Sequence, residues 1–197
     1  ITLFSGAYTK IAYHKWYSSI FYTHNLKRFD NTKETNYGLA IENRLLLLEP
    51  LNLEKRTLNP FPKLFVSSKE NEDTVALFEQ YKIDRNAKVI MISLLGSEQN
   101  KTYPLEYMAK VVEYVATHEN VIILFNYFEE QIENAKEIYN LCSKVTQEKI
   151  KFDLLGNNLR SFIAIMNRCD VIVGNDGGAI NMAKALGKSS FIIFSPW

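Results

Sequence analysis

The stretch "KVIMISLLGSEQNKTYPLEYMAKVVEYVATHENVIILF" (88–125) decides the fold. "KVIMIS" (88–93) and "VIILF" (121–125) are short β-branched apolar runs. Between them "PLEYMAKVVEYVATH" (104–118) opens with Pro104 in its first turn and sets Leu105, Met108, Val112 and Val115 on one helical stripe. Strand, helix and strand joined this closely predict a βαβ unit, and hence parallel pairing. The strands are unbroken apolar runs with little polar alternation, as when helices cover both faces of a sheet.

The same alternation extends in both directions. A helix is predicted over 71–83, where Val75, Phe78 and Lys82-Ile83 keep helical spacing. Another is predicted over 129–145, with Ile132, Ala135, Ile138, Tyr139 and Cys142 on one face. A short strand "KFDLL" (151–155), a helix over 159–168, a strand "DVIVG" (170–174), a helix after Gly178 and a strand "FIIFS" (191–195) complete the series. The fold class is α/β, a Rossmann-like parallel sheet with helices on both faces.

Residues 1–65 read differently. Residues 17–36 mix aromatic and polar side chains without a clean period. Residues 37–51 read as one helix, with Leu39, Glu42, Asn43, Leu46 and Leu47 on a mixed stripe. "LNPFPKLFVSS" (58–68) carries two prolines and predicts an extended linker. Two parts are therefore expected, 1–65 and 66–197. The opening lacks a methionine and the final strand has no element after it, so the chain is expected to be part of a longer protein.

Bulk properties exclude several function classes. With 197 residues, 47% hydrophobic and 23% charged, the composition is that of a folded domain. A net charge of +1 gives no electrostatic case for nucleic acid. The longest apolar runs are too short to span a bilayer, and no signal-peptide pattern is seen. Cys142 and Cys169 form no CxxC, and His14, His24 and His118 are scattered. Buried thiols are expected, and no metal site.

In open parallel sheets ligands bind beyond the carboxyl ends of the strands, which singles out three loops. In "VIVGNDGGAINMAKALGK" (171–188), Gly177 and Gly178 can take positive φ and bring N–H groups up to a phosphate oxygen, at a helix N-terminus that favours anions. The alternative is that Asp176 caps the helix and the glycines only turn the chain. Asn175 and Asn181 add polar groups on either side. In "LLGSEQNKTYP" (94–104), Gly96 supplies flexibility, Ser97 a hydroxyl and Lys101 a compact cation suited to a diphosphate. Its alternative is a solvated lysine in a polar loop. In "NYFEE" (126–130), Glu129 or Glu130 either complements a helix dipole or accepts from ribose hydroxyls. Arg160 and Arg168 are expected to be surface or helix-end charges.

With those loops in view, the sequence resembles the family 9 glycosyltransferases, the heptosyltransferase family of bacterial envelope synthesis. "VIVGNDGGAINMAKALGK" is similar to that family's strand, Asp-Thr-Gly, two residues, His and Ala-rich helix. "ISLLGSEQNKTYPLEYMAKVV" (92–112) resembles its phosphate loop, "GNNLRSFIAIMNRCD" (156–170) the segment before the Asp-Gly motif, and "FSGAYTKIAYHK" (4–15) the end of the N-terminal domain. The resemblance implies a GT-B enzyme, of which 66–197 is the nucleotide-sugar-binding domain, truncated at its C-terminus, and 1–65 a remnant of the acceptor-side domain. It implies inverting, metal-independent transfer of a heptose-like sugar from a nucleoside-diphosphate donor, with an ADP-sugar as the family's precedent. The donor is a substrate, and no cofactor is implied.

Carried over by position, Ser97 and Lys101, beside Gly96, bind the diphosphate. Asp176, Gly177 and Gly178 lie at the diphosphate–sugar junction, with Asn181 at the family's His position, and Glu129 or Glu130 meets the ribose. Lys101 and Asp176 are the implied catalytic groups, and the general base is expected in the missing N-terminal domain, so that the fragment alone is inactive. The implied acceptor is a lipid-linked or oligosaccharide glycan of the envelope, placing the protein in the cytoplasm at the inner membrane face, with membrane contact through the missing domain. Three departures bear on the donor: a hydroxyl is lost at Gly177, Asn181 cannot carry a proton at neutral pH, and a pair of hydroxyls is reduced to Ser97. A GT-B enzyme of the UDP-sugar epimerase type and a non-catalytic nucleotide-sugar-binding domain remain the alternatives.

Overall fold

The structure is a computed structural model and describes residues 2, 4–31, 37–52 and 61–194. The chain divides into two units, Ile1–Pro62 and Lys63–Trp197.

In the first unit β1 (Ile11–Tyr13) and β2 (His24–Leu26) pair in parallel. Helix α1 runs Leu39–Leu46 and is shorter than the 37–51 helix predicted. Pro50 has no N–H to continue the ladder, and Glu49–Leu51 forms a separate 3₁₀ turn that ends at left-handed Asn52. Asn43 is buried, and its side chain pairs with the Phe29 backbone, accepting from N at 2.8 Å and donating to O at 3.1 Å. The Tyr13 hydroxyl donates to the Asn43 carbonyl.

The second unit is the predicted α/β layer structure. Its elements are α2 (Ser68–Gln80), β3 (Lys88–Ser93), α3 (Leu105–Ala116), β4 (Val121–Asn126), α4 (Ile132–Leu141), α5 (Lys144–Lys149), β5 (Ile150–Lys151), α6 (Leu159–Arg168), β6 (Val171–Asn175), α7 (Gly178–Ala185) and β7 (Ser189–Ile193). All five strands pair in parallel, in the order β5-β4-β3-β6-β7. Side chains alternate between faces even though both faces are apolar. On β3, Ile92 packs with α3 and α4 residues such as Met108, Val112 and Ile138, whereas Val89 and Met91 pack with Phe78, Ile165, Met166 and Ile180. Burying each such side chain is worth about 1.5–3 kcal/mol, so the central strand is held from both sides.

Boundaries differ from the pattern-based expectation for identifiable reasons. Helix α2 starts before residue 71 because Ser67 and Glu70 form a reciprocal capping box. It ends before Lys82-Ile83: Lys82 is left-handed (φ 53°) and Ile83 N donates to Phe78 O at 3.0 Å, a C-terminal stop. The single helix predicted over 129–145 is broken in two. Cys142 is extended because Ser143 caps α5, accepting from Thr146 N. The predicted strand 151–155 reduces to Ile150–Lys151. Pro104 is the N-cap of α3 and stands outside its first turn.

Candidate functional site

The second unit reverses direction at β3. From β3 the chain steps outward through β4 to β5, then crosses back to β6 on the other side and outward again to β7. The loops leaving β3 and β6 diverge at their carboxyl ends, which is the topological switch point where open α/β sheets bind ligands. Ser93 is in register with both Asn126 of β4 and Gly174 of β6. All three loops singled out by sequence therefore leave the same edge from neighbouring strands.

The β3–α3 loop is knit to itself. Gly96 N donates to Thr102 Oγ1 at 3.1 Å, and Thr102 Oγ1 donates to Glu98 O at 2.9 Å. Residues Gln99–Lys101 form a 3₁₀ turn folded over Gly96, where a Cβ would sit 2.3 Å from the Lys101 carbonyl oxygen. Gly96 is thus required by the close approach of its own loop. Its N–H is already engaged, and its carbonyl accepts from Gln131 Nε2 at 3.0 Å. Ser97 is exposed. Lys101 Nζ lies 3.1 Å from Glu98 Oε1, with both side chains more than a third exposed. Such a pair is worth about 0–1 kcal/mol, so an incoming dianion competes easily for the ammonium group.

The β6–α7 loop is built differently. Asp176, Gly177 and Gly178 are exposed, and Asp176 N donates to Ile193 O at 3.0 Å. The N-cap of α7 is Gly177, so Asp176 is not the cap weighed from sequence. Nor is positive φ realised: Gly177 is extended at φ 173°, a backbone open to any residue, and Gly178 begins the helix. A Cβ on Gly178 would meet nothing within 4 Å, and one on Gly177 only the Asn175 carbonyl at 4.0 Å. Neither the backbone nor the packing of the described residues requires glycine at these two positions. Both leave clear space at a helix N-terminus that no side chain caps. Asn181 is exposed one turn into α7, its N–H donating to Gly177 O at 3.2 Å.

The two loops meet at Asn175, whose amide bonds to backbone groups of the β3–α3 segment: Oδ1 accepts from Tyr103 N at 2.7 Å, and Nδ2 donates to Leu94 O at 2.9 Å. In the third loop Glu129 and Glu130 are exposed in the 3₁₀ turn Glu129–Gln131 that precedes α4. The side chain that ties this loop to the first is Gln131, whose Oε1 accepts from Phe128 N at 3.0 Å while Nε2 reaches Gly96.

A concavity of about 660 Å³ opens between the first and third loops, lined by Gly96, Ser97, Thr102, Tyr103, Gln131 and Asn134 among others. Of the residues proposed from sequence, Gly96 and Ser97 line it; Lys101, Glu129, Asp176, Gly177, Gly178 and Asn181 lie along the same sheet edge outside its wall. Thr102, Asn175 and Gln131 hold the loops together, and residue spacing alone does not single out these roles. Among the described residues no three His, Cys, Asp or Glu side chains converge as a metal site, and no helix is long and apolar enough to cross a membrane. Arg160, expected to be a surface charge, joins α6 to the start of α2 through Glu70, and Arg168 stacks over the Phe78 ring at 5.8 Å.

A family model described as glycosyltransferase family 9 (heptosyltransferase) matches residues 1–196. Lipopolysaccharide heptosyltransferase 1 of Campylobacter coli is 31% identical over 124 residues, which cover 60% of this chain and 34% of that protein. The structure of a family 9 glycosyl transferase from Veillonella parvula superposes with a TM-score of 0.75 at 17% identity, over 95% of this chain and 51% of that one. The E. coli ADP-heptose LPS heptosyltransferase II gives 0.58 at 20% identity, over 73% and 42%. E. coli heptosyltransferase WaaC, solved with ADP-2-deoxy-2-fluoro heptose, gives 0.57 at 14% identity, over 89% and 49%. At these identities the solved structures establish a shared fold. The chain spans about half the length of the solved relatives and 34% of the curated one.

Proposed function

We propose, from the premise that this chain belongs to glycosyltransferase family 9 (heptosyltransferase), that its second unit is the donor-binding part of a sugar transferase of lipopolysaccharide or envelope-glycan assembly. The donor is a nucleoside-diphosphate sugar, with an ADP-sugar suggested by the ligand of the WaaC structure. The acceptor is a lipid-linked or oligosaccharide glycan, which puts the reaction at the cytoplasmic face of the membrane.

One observation carries this reading. Two helix N-termini, those of α3 and α7, leave adjacent strands at the switch point, with Lys101 before one and two sterically free glycines at the other. A diphosphate seated there meets an ammonium group and unpaired backbone N–H groups. Cleavage of the sugar–phosphate bond develops negative charge on the departing diphosphate. Lys101 and the two helix ends stabilise that charge. Asp176, whose carboxylate makes no hydrogen bond among the described residues, accepts from hydroxyls of the transferred sugar. Glu129 or Glu130 takes the ribose. Inversion follows from direct attack by the acceptor hydroxyl, whose proton goes to a general base of the acceptor-side domain.

The test is a binding comparison of ADP, GDP, UDP and CMP, followed by a transfer assay with the tightest-binding nucleotide's sugar. A nucleoside diphosphate that binds well above CMP, with transfer of its sugar by the full-length protein, is expected. Equal and negligible binding of all four overturns the reading. Binding without transfer by the full-length protein favours a non-catalytic binding domain, the reading to which Asn181 lends support because an amide carries no proton.

A further inference from the structure

Asn175 ends β6 and is 3% exposed. Its amide reaches both ends of one distant loop. At the entrance Nδ2 donates to Leu94 O at 2.9 Å, with Ser93 O a second acceptor at 3.4 Å. At the exit Oδ1 accepts from Tyr103 N at 2.7 Å, immediately before α3. One short planar group therefore closes the neck of the loop that carries Gly96, Ser97 and Lys101. Within the neck the loop is internally tied, through Gly96 N to Thr102 Oγ1, Thr102 Oγ1 to Glu98 O, and Lys101 N to Glu98 O at 3.0 Å. It moves as one body if the neck opens. The next residue after Asn175 is Asp176, itself fixed to β7 through its N–H.

We propose that Asn175 is a positioning residue that sets the spacing of the two diphosphate-facing loops, and so determines whether Lys101 and the Gly177–Gly178 helix end can share one pyrophosphate. This rests on the donor-site reading given above. The position demands a donor and an acceptor on one short side chain. Asp would aim an acceptor at two carbonyl oxygens, Leu offers the same bulk with neither function, and Gln is too long for the buried neck. A buried carbonyl or N–H left unpaired destabilises the closed neck, and the loop drifts from the register that a diphosphate requires.

The experiment compares wild type, Asn175→Asp and Asn175→Leu in two ways: ADP and adenosine binding by calorimetry, and amide hydrogen exchange without ligand. For both variants ADP affinity is expected to fall by about tenfold or more while adenosine changes by less than about twofold. Exchange at Gly96, Thr102 and Tyr103 speeds up, while that of Ile123 and Leu124 in β4 stays as in wild type. Protonation of the carboxyl in Asn175→Asp regains a donor, so its ADP affinity is expected to recover relative to wild type at the same pH as the pH is lowered. Bulk alone predicts no such recovery. If one variant fails to fold, the other decides. Parallel loss of ADP and adenosine, or unchanged exchange in the loop, overturns the proposal. A wild-type chain that binds no nucleoside diphosphate overturns the donor-site reading instead, and the ligand-free exchange still decides whether Asn175 closes the loop.

Discussion

Arg160 grips both carboxylate oxygens of Glu70, with Nε 2.6 Å from Oε1 and Nη2 2.7 Å from Oε2, and Nη2 also donates to Phe65 O at 2.9 Å. The guanidinium first, then the Ser67 backbone and hydroxyl, hold the Glu70 carboxyl down at about 2. A depressed carboxylate stabilises the fold above its unfolded pKa, near 4.3, and loses that contribution as pH falls toward the folded value. Stability should therefore decline between about pH 4.3 and 2 as Glu70 protonates. In Arg160→Ala the Glu70 titration moves up toward the ordinary carboxylate range, and this part of the acid slope shrinks. Carboxyl NMR titration and denaturant midpoints across that range check it. An unchanged slope in Arg160→Ala would show that other carboxylates carry the acid sensitivity.

The glycines of the two loops should respond oppositely to a methyl group. Gly96→Ala drives a Cβ against the Lys101 carbonyl at 2.3 Å, and overpacking of that kind costs about 1–3 kcal/mol. Gly178→Ala meets open space on a helical residue and should be neutral or stabilising by about 0.4–1 kcal/mol. Yet Gly178→Ala should weaken ADP binding, since the methyl occupies the ligand's approach. Thermal unfolding with and without ADP separates the two effects. A Gly178→Ala protein that binds as wild type would remove that helix end from the site.

Lys101 and Glu98 give a charge test of the first loop. Lys101→Ala should weaken ADP by about tenfold or more and adenosine hardly at all. Glu98→Gln releases the ammonium group from its 3.1 Å partner and should strengthen ADP binding by a few-fold at low salt, roughly the worth of an exposed pair. Calorimetry at two salt concentrations is the check. Equal losses of ADP and adenosine in Lys101→Ala would make the lysine structural.

Both thiols should be silent to alkylating reagents in the native state. Burial first, with a contribution from Glu113, pushes Cys142 up to about 11, and burial pushes Cys169 up to about 12. The thiolate is the reactive form, so modification awaits unfolding. Rapid labelling of either cysteine in native buffer would contradict the packing of α4 or α6 described here.

Sheet direction, helix faces and the shared edge of the three loops were legible because burial on both faces writes itself into apolar runs such as "KVIMIS" and "VIILF". Several boundaries were hidden but had a local signal: Ser67-x-x-Glu70 is a capping box, and Ser143 after Cys142 is an N-cap. Gly177 does not use the positive φ open to it, since glycine permits that backbone without requiring it. Asn175, Gln131 and Arg160 were not legible. Their partners lie at sequence separations of 81, 35 and 90, and no local pattern encodes a hydrogen bond across the fold.

The irregular segment that leads into α2 is bonded to the C-terminal end of α7, where Leu64 N donates to Ala185 O at 2.9 Å. The opposite end of that helix is Gly178. Eight residues of α-helix make a stiff rod about 12 Å long. Leu64, just ahead of α2, and Gly178, at the mouth of the β6–α7 loop, are thus the two ends of one short lever inside the second unit, and Leu64→Pro, which removes the N–H, would cut its far attachment.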